Sequence, residues 1–293
     1  MSANKKNKTE FRCYANMFST TKFNKLVVDG DMSYINSKLS TYGINSSRPI
    51  NTIGDYLKYA YDQLLSNYRN EYVYKNLIIN KKLLGKYSLN TTTVINEFKI
   101  GKSIADIVLL NGTSKVFEIK TELDSLYRCQ SQISDYKKVF EHIYIVTHIS
   151  LATKYLEELD SDIGIIALTE NNTLRTIREA VKCTKYLDSQ TMIKCLRKAE
   201  YTNIIQSYFG EIPQVTPVKY FSACNELFSQ IPVETLHDMM LLELKKRTIR
   251  EKEKFKSDDI VPSELKFLLW NLDYDVDSYQ KLIDRLNTSL VVG

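Results

Sequence analysis

Between Thr91 and Ile119 three stretches of β-branched and apolar residues follow one another: TTTVINEFKI, IADIVLL and KVFEI. They are cut by GKS and NGT, each carrying a glycine. Such runs read as strands and such breaks as tight hairpin turns. Three consecutive strands cannot bury a face alone, so the rest of the chain has to supply a cover.

The flanking pattern supplies it. Upstream, Leu57, Tyr61, Leu64, Tyr68, Tyr72 and Leu77 recur at helical spacing. They predict a helix from near Thr52 to about Leu84, with a break near Asn70. Downstream, Asp124 or Ser125 can cap a helix running to about His142. IYIVT then reads as a buried strand, LATKYLEEL as a helix, IGIIALT as a strand and NTLRTIREA as an edge strand. Three strands followed by βα alternation imply an α/β fold, a mixed sheet flanked by helices. From about Leu187 the spacing is helical. Candidate helices cover 190–209, 220–230, 233–256, 262–271 and 278–286, broken by GEIPQVTPV around Pro213. Residues 1–50 are rich in Ser, Asn and Lys. The expected organisation is an N-terminal arm of limited structure (1–50), an α/β core (51–185) and an appended C-terminal helical region (186–293).

Net charge is +5, which permits a polyanionic partner without requiring one. The surplus is concentrated: KKRTIREKEKFK, residues 245–256, carries seven basic residues and two acids. Lysines near a helix end also complement its dipole, so a solvated helix end is the alternative to a phosphate contact. Five cysteines, odd in number and without a CxxC, match neither a disulfide framework nor a zinc site. They are read as apolar fillers, Trp270 as helical core, and His148 is given no role. No signal-like N-terminus and no run of about 18 apolar residues is present. The expectation is a cytoplasmic protein with no membrane partner.

Against this background the hairpin holds three unexpected charges: Asp106, Glu118 and Lys120. Glu118 and Lys120 are two apart and share a strand face. If the turn is Asn111–Gly112–Thr113, Leu110 pairs with Ser114 and counting back sets Asp106 opposite Glu118. Facing Cβ atoms lie about 5 Å apart. Two carboxylates that close repel unless a cation sits between them. A two-residue turn would instead put them on opposite faces. Hard oxygen ligands, few in number, suit magnesium or manganese, which keeps water and takes further ligands from a phosphate. With Lys120 to position the attacking water, this is the chemistry of metal-dependent phosphodiester hydrolysis.

Asp106 followed by FEIK (Glu118-Ile119-Lys120) resembles the signature of the PD-(D/E)XK nuclease superfamily, although Ala105 stands before the aspartate where the motif has proline. The order helix, three strands, helix, strand also resembles that superfamily's restriction-endonuclease-like core. Gly101 ahead of Asp106, and QISDY with Gln132 and Tyr136 four apart, resemble its RecB-like branch. The surrounding phrases YRNEYVYKN and EIKTELDSLYR look like a group of bacterial and phage nuclease-like proteins. The resemblance covers roughly residues 55–150.

It implies a Mg- or Mn-dependent nuclease acting on nucleic acid, DNA first, in phage or bacterial conflict. Asp106, Glu118 and the Ile119 carbonyl would bind metal, Lys120 would position water, and Gln132 and Tyr136 would orient the catalytic groups or the strand. Many members add a helix glutamate; Glu71 is the candidate, on a stripe with Leu64, Tyr68 and Ile78, and Glu97 on the first strand is its rival. Glu71 pairing with Lys75 at i, i+4 is the structural alternative. The C-terminal helices would clamp nucleic acid or bind a protein partner. Two other functions compete: a catalytically silent nuclease-fold module that binds nucleic acid or protein, and an RNA-cleaving toxin effector.

Overall fold

The computed structural model describes residues 2–120 and 126–290. Asp124 and Ser125, the expected helix caps, lie outside the described residues. The chain divides into two units, one built from 1–87 and 249–293 and the other from 88–248.

The first unit is helical. Its elements are α1 (Ser2–Met17), α2 (Thr20–Asn24), a π-helical turn (Lys25–Asp29), α3 (Ser33–Tyr42), α4 (Ile53–Asn67) and α5 (Glu71–Ile78), with a second π-helical turn over Ile79–Leu84. The expected arm is therefore structured, and Tyr14, Phe23 and Val27 are fully buried. Thr52 caps α4 reciprocally: its hydroxyl accepts from Asp55 N (3.1 Å) and the Asp55 carboxylate accepts from Thr52 N (3.0 Å). The break expected near Asn70 is present, at Tyr68–Asn70. The tail of the chain belongs to the same unit. Buried Asn76 on α5 ties the two: its amide donates to Ser263 O and its oxygen accepts from Phe267 N.

The second unit holds the sheet. Strands β1 (Thr93–Ile100), β2 (Ser103–Leu110), β3 (Ser114–Lys120), β4 (His142–His148), β5 (Gly164–Leu168) and β6 (Leu174–Arg178) lie side by side in sequence order. Pairing is antiparallel through β1–β2–β3, parallel through β3–β4–β5 and antiparallel again to β6. The parallel pairs need crossovers, supplied by α6 (Leu126–Lys137) and α7 (Ala152–Glu158). Four more helices follow: α8 (Ser189–Cys195), α9 (Lys198–Phe209), α10 (Pro217–Phe228) and α11 (Val233–Lys245). Met192, Ile204, Phe228 and Met240 from these helices share one core with Val108, Val116 and Ile145 of the sheet and Tyr136 of α6.

The expected C-terminal region is thus split. Its first four helices cover the sheet. The remainder, with α12 (Lys266–Leu272) and α13 (Val276–Leu286), folds with the N-terminal helices. Among the described residues no helix is long and apolar enough to cross a membrane.

A buried polar cluster fastens α11 to the hairpin turn. Ser114, at the start of β3, donates its N–H to Glu141 (3.0 Å) and sits 3.4 Å from His237 Nε2; Lys182 closes on Glu141 at 2.7 Å. Burial pushes the His237 imidazole below its ordinary pKa, more than Glu141 and Asp238 raise it, and burial does the same to His142. Both rings are therefore harder to protonate in the folded chain than in the unfolded one. Below about pH 6.5 the unfolded chain binds protons that the folded chain refuses, so stability falls with pH there. Glu141 works lower. Burial raises its pKa, but Lys182 and Ser114 outweigh that and leave it depressed, so its contribution is lost only below the ordinary carboxylate range. The urea midpoint is expected to drop between pH 7.5 and 5.5, and His237→Gln is expected to flatten that drop. An equally steep profile in the variant rules His237 out as its source.

Candidate active site

Gly112 takes φ +66° and Asn111 N–H donates to Thr113 O, so the β2–β3 turn is the three-residue form. Leu110 pairs with Ser114, and the ladder runs back to Ile107 and Phe117. The next position in that register holds Asp106 and Glu118. Asp106 is not a ladder member there. Its carboxylate Oδ2 accepts Ile119 N–H at 2.8 Å and so serves as a side-chain substitute for the missing main-chain acceptor.

The β1–β2 ladder has a gap at the same level: Asn96 pairs with Ile107 and Phe98 with Ala105, while Glu97 and Asp106 between them do not pair. Alternation slips there. Ala105 shares the core with Val108 and Leu110 despite its opposite parity, and Phe98 does so with Ile95 packed against it. Such an irregularity re-aims side chains that a regular strand would hold flat.

Glu118 is the hub of the site. Its Oε1 accepts from Lys120 Nζ (2.8 Å) and Gln132 Nε2 (2.7 Å), and its Oε2 accepts from Tyr136 OH (2.7 Å). Gln132 Oε1 in turn accepts from Lys120 Nζ at 2.7 Å. Only one orientation of the Gln132 amide satisfies both the ammonium and the carboxylate. Gln132 and Tyr136, one turn apart on α6, face β3 as the four-residue spacing predicts. Tyr136 OH also lies 2.9 Å from Ile104 O, so its single proton has two acceptors. Burial, then the Glu118 charge, raise the Tyr136 pKa far above the ordinary phenol, and the group stays a donor. Glu118 and Lys120 are only 3% and 2% exposed. A buried pair persists when hydrogen bonds satisfy its remaining valences, and here Gln132 and Tyr136 do so. The third ammonium hydrogen of Lys120 has no acceptor among the described residues.

Asp106, Glu118, Ile119, Lys120, Gln132 and Tyr136 are therefore brought together. Glu71 lies in the first unit of the chain. The chain break at Tyr68–Asn70 ends the stripe on which it was placed, so Glu71 opens a new helix, 59% exposed and paired with Lys75 at 2.6 Å. Its rival Glu97 stands level with Asp106 on the neighbouring strand, in the left-handed region at φ +53°. A non-glycine residue pays roughly 1 kcal/mol for that conformation, and such strain gathers at functional positions. Glu97→Gly is expected to be more stable than Glu97→Ala by about 1 kcal/mol in urea unfolding, because only glycine relieves the backbone. Equal midpoints would remove the strain argument.

The basic run is mostly neutralised within the fold. Lys246 pairs with Glu243, Arg247 with Glu200, Arg250 with Asp273, Lys254 with Glu251 and Lys256 with Glu253. A cavity of about 570 Å³ opens on the other flank of α6, lined by Ile133, Lys137, Leu159, Ile163 and Tyr186 among others. None of the predicted site residues lines it, and Lys137 within it is held by Asp160 and Asp162.

Among the described residues no group of three or more His, Cys, Asp or Glu is placed to hold a metal ion. The site offers two carboxylates. Glu118 uses three of about four acceptor positions, which leaves one for an ion that takes most of its ligands from water and phosphate. That donor set fits magnesium or manganese and does not fit zinc or a calcium cage.

Three comparisons bear on the chain. Protein cII of Enterobacteria phage P4 is 28% identical over 131 residues, covering 43% of this chain and 49% of that protein. The match spans about half the length of that relative. A protein of unknown function from Silicibacter pomeroyi superposes with a TM-score of 0.26 at 10% identity over 54% of this chain and 82% of its own, too weak a likeness to carry an argument. The model of the family described as Bacteriophage P4 protein cII matches residues 65–269, a span that includes the whole sheet and every residue of the candidate site. On that match, the chain belongs to the bacteriophage P4 protein cII family.

Proposed function

We propose that the chain is a metal-dependent nuclease of PD-(D/E)XK type that hydrolyses phosphodiester bonds in nucleic acid. One observation carries the reading: Glu118, Lys120, Gln132 and Tyr136, separated by up to 18 residues, close into one hydrogen-bonded set beside Asp106. Asp106, Glu118 and the Ile119 carbonyl would hold Mg or Mn, and the ion would supply Lewis-acid stabilisation of charge on the phosphate. Lys120 has one ammonium hydrogen without an acceptor among the described residues and would use it to position the attacking water or a phosphate oxygen. Gln132 and Tyr136 fix the Glu118 carboxylate so that it need not reorganise during reaction. Glu97, level with Asp106 on the neighbouring strand, would complete the set.

A second reading, a silent module on the same scaffold, is favoured by the burial of Glu118 and the fact that three protein donors already serve it. Cleavage of labelled duplex DNA, single strands and transfer RNA separates the readings. The nuclease is expected to cut one of these in Mg or Mn and not in chelator, and to lose that activity on Asp106→Asn. A parent chain that binds but cuts none of them overturns the nuclease reading and leaves the silent module. A cut confined to transfer RNA moves the substrate from DNA to RNA.

A further inference from the structure

We infer that the β1–β2 hairpin beside this site is a nucleic-acid contact surface, with Lys99 and Lys102 on backbone phosphates and Ile104 packed against the sugar or base between them. The inference rests on the phosphodiester reading of the same site.

Lys99 on β1 pairs in register with Ile104 on β2, so their Cβ atoms are cross-strand neighbours about 5 Å apart. Ile104 is 53% exposed, an apolar side chain on the open face of an otherwise well-buried strand. Lys102 stands at the turn between them. Both lysines are exposed, and neither ammonium has an ion pair or hydrogen bond among the described residues. The basic run at 245–256 is different, because acids consume most of its charge.

Edge protection explains a lysine on β1, an edge strand of the sheet. It explains neither the lysine at the turn nor an exposed isoleucine on the second strand. Two uncompensated cations flanking an apolar side chain complement a polyanion with apolar sugar and base surfaces.

The hairpin is also held in place. Ser103 Oγ donates to Asp135 of α6 at 2.8 Å. Gly101 takes φ +59°, where a side chain would be strained, and passes 3.6 Å from the Asp135 carboxylate, measured from the point a Cβ would occupy. Ile104 O lies 2.9 Å from Tyr136 OH, so the residue that presents its side chain outward has its carbonyl in the catalytic network. A strand lying across Lys99, Ile104 and Lys102 therefore lies beside Glu118. Sequence reading missed these residues because a lysine–isoleucine pair on a strand is ordinary until its register and its lack of partners are known.

The test is a salt titration of binding in chelator, by fluorescence anisotropy with labelled duplex and single-stranded DNA. For Lys99→Ala with Lys102→Ala, the slope of log K against log salt is expected to become shallower by about 1.8 on duplex or about 1.4 on single strands. The probe that shows the change identifies the form bound. Ile104→Ser is expected to weaken binding roughly fivefold with the slope unchanged. A charge-matched control, Lys154→Ala with Lys194→Ala, removes two exposed lysines of α7 and α8 and is expected to leave the slope near that of the parent. The inference is overturned if the parent binds neither probe, if the hairpin pair keeps the parent slope, or if the control loses as much. Cleavage in Mg is read separately. Binding that depends on the hairpin without any cleavage sinks only the nuclease reading, and cleavage with an unchanged slope sinks only this one.

Discussion

Lys120→Met is expected to lower stability by about 3–5 kcal/mol, the largest effect of any single substitution at the site. Methionine fills much the same space, so the loss is electrostatic. It leaves the Glu118 carboxylate buried, with Gln132 and Tyr136 as donors and no cation. The urea midpoint should fall with little change in slope, because the surface exposed on unfolding is nearly the same. Adding Glu118→Gln should return most of the loss, since the Gln132 amide is then free to reverse and pair with a neutral partner.

Magnesium turns the same variant into a test of the ligand set. In the parent, a cation at Glu118 competes with the ammonium 2.8 Å away. In Lys120→Met it would replace that ammonium. Magnesium at 100 times its dissociation constant stabilises by about 2.7 kcal/mol. The gain is expected to be larger in the variant than in the parent, and absent once Glu118→Gln is added. If Lys120→Met unfolds at the parent midpoint, the buried pair does not hold this region together. If magnesium moves neither midpoint, Glu118 is not a ligand.

Much of the site was legible because it rests on short-range geometry. NGT allows a three-residue turn, and once the turn is three residues the register puts Asp106 level with Glu118. The four-residue spacing of Gln132 and Tyr136 needed only a helix in the right place. The stripe argued for Glu71 did not hold for a local reason: it ran the helical spacing of Leu64 and Tyr68 straight through a break that sequence had already suggested. The left-handed conformation of Glu97 carries no signal, since that conformation is announced by glycine or asparagine and not by glutamate. Residues 1–50 look like an arm because Tyr14, Phe23, Val27 and Ile35 are scattered through polar sequence. What buries them is packing within a unit that the tail, 249–293, completes from the far end of the chain. The neutralisation of the basic run was equally hidden, because Glu200 and Asp273 lie 47 and 23 residues from Arg247 and Arg250.

Asp106→Asn separates catalysis from structure more cleanly than any change at Glu118. Asparagine keeps a carbonyl oxygen for Ile119 N–H, the 2.8 Å bond that ends the β2–β3 ladder, so unfolding is expected to shift by no more than about 1 kcal/mol. It loses the negative charge. Of the two acids at the site, Asp106 is only half-buried, while Glu118 already has three protein donors. A cation and a phosphate approaching from solvent therefore meet Asp106 first. On the nuclease reading, removing that charge is expected to slow cleavage by on the order of 10²–10³-fold, the scale of losing one preorganised electrostatic contact. Binding of nucleic acid in chelator should hold or strengthen, because a carboxylate no longer repels the phosphates. A structural role for Asp106 predicts the reverse: weakened folding and cleavage unchanged per folded molecule. The ratio of the two effects, measured on one preparation, decides whether the carboxylate is there for the strand or for the phosphate.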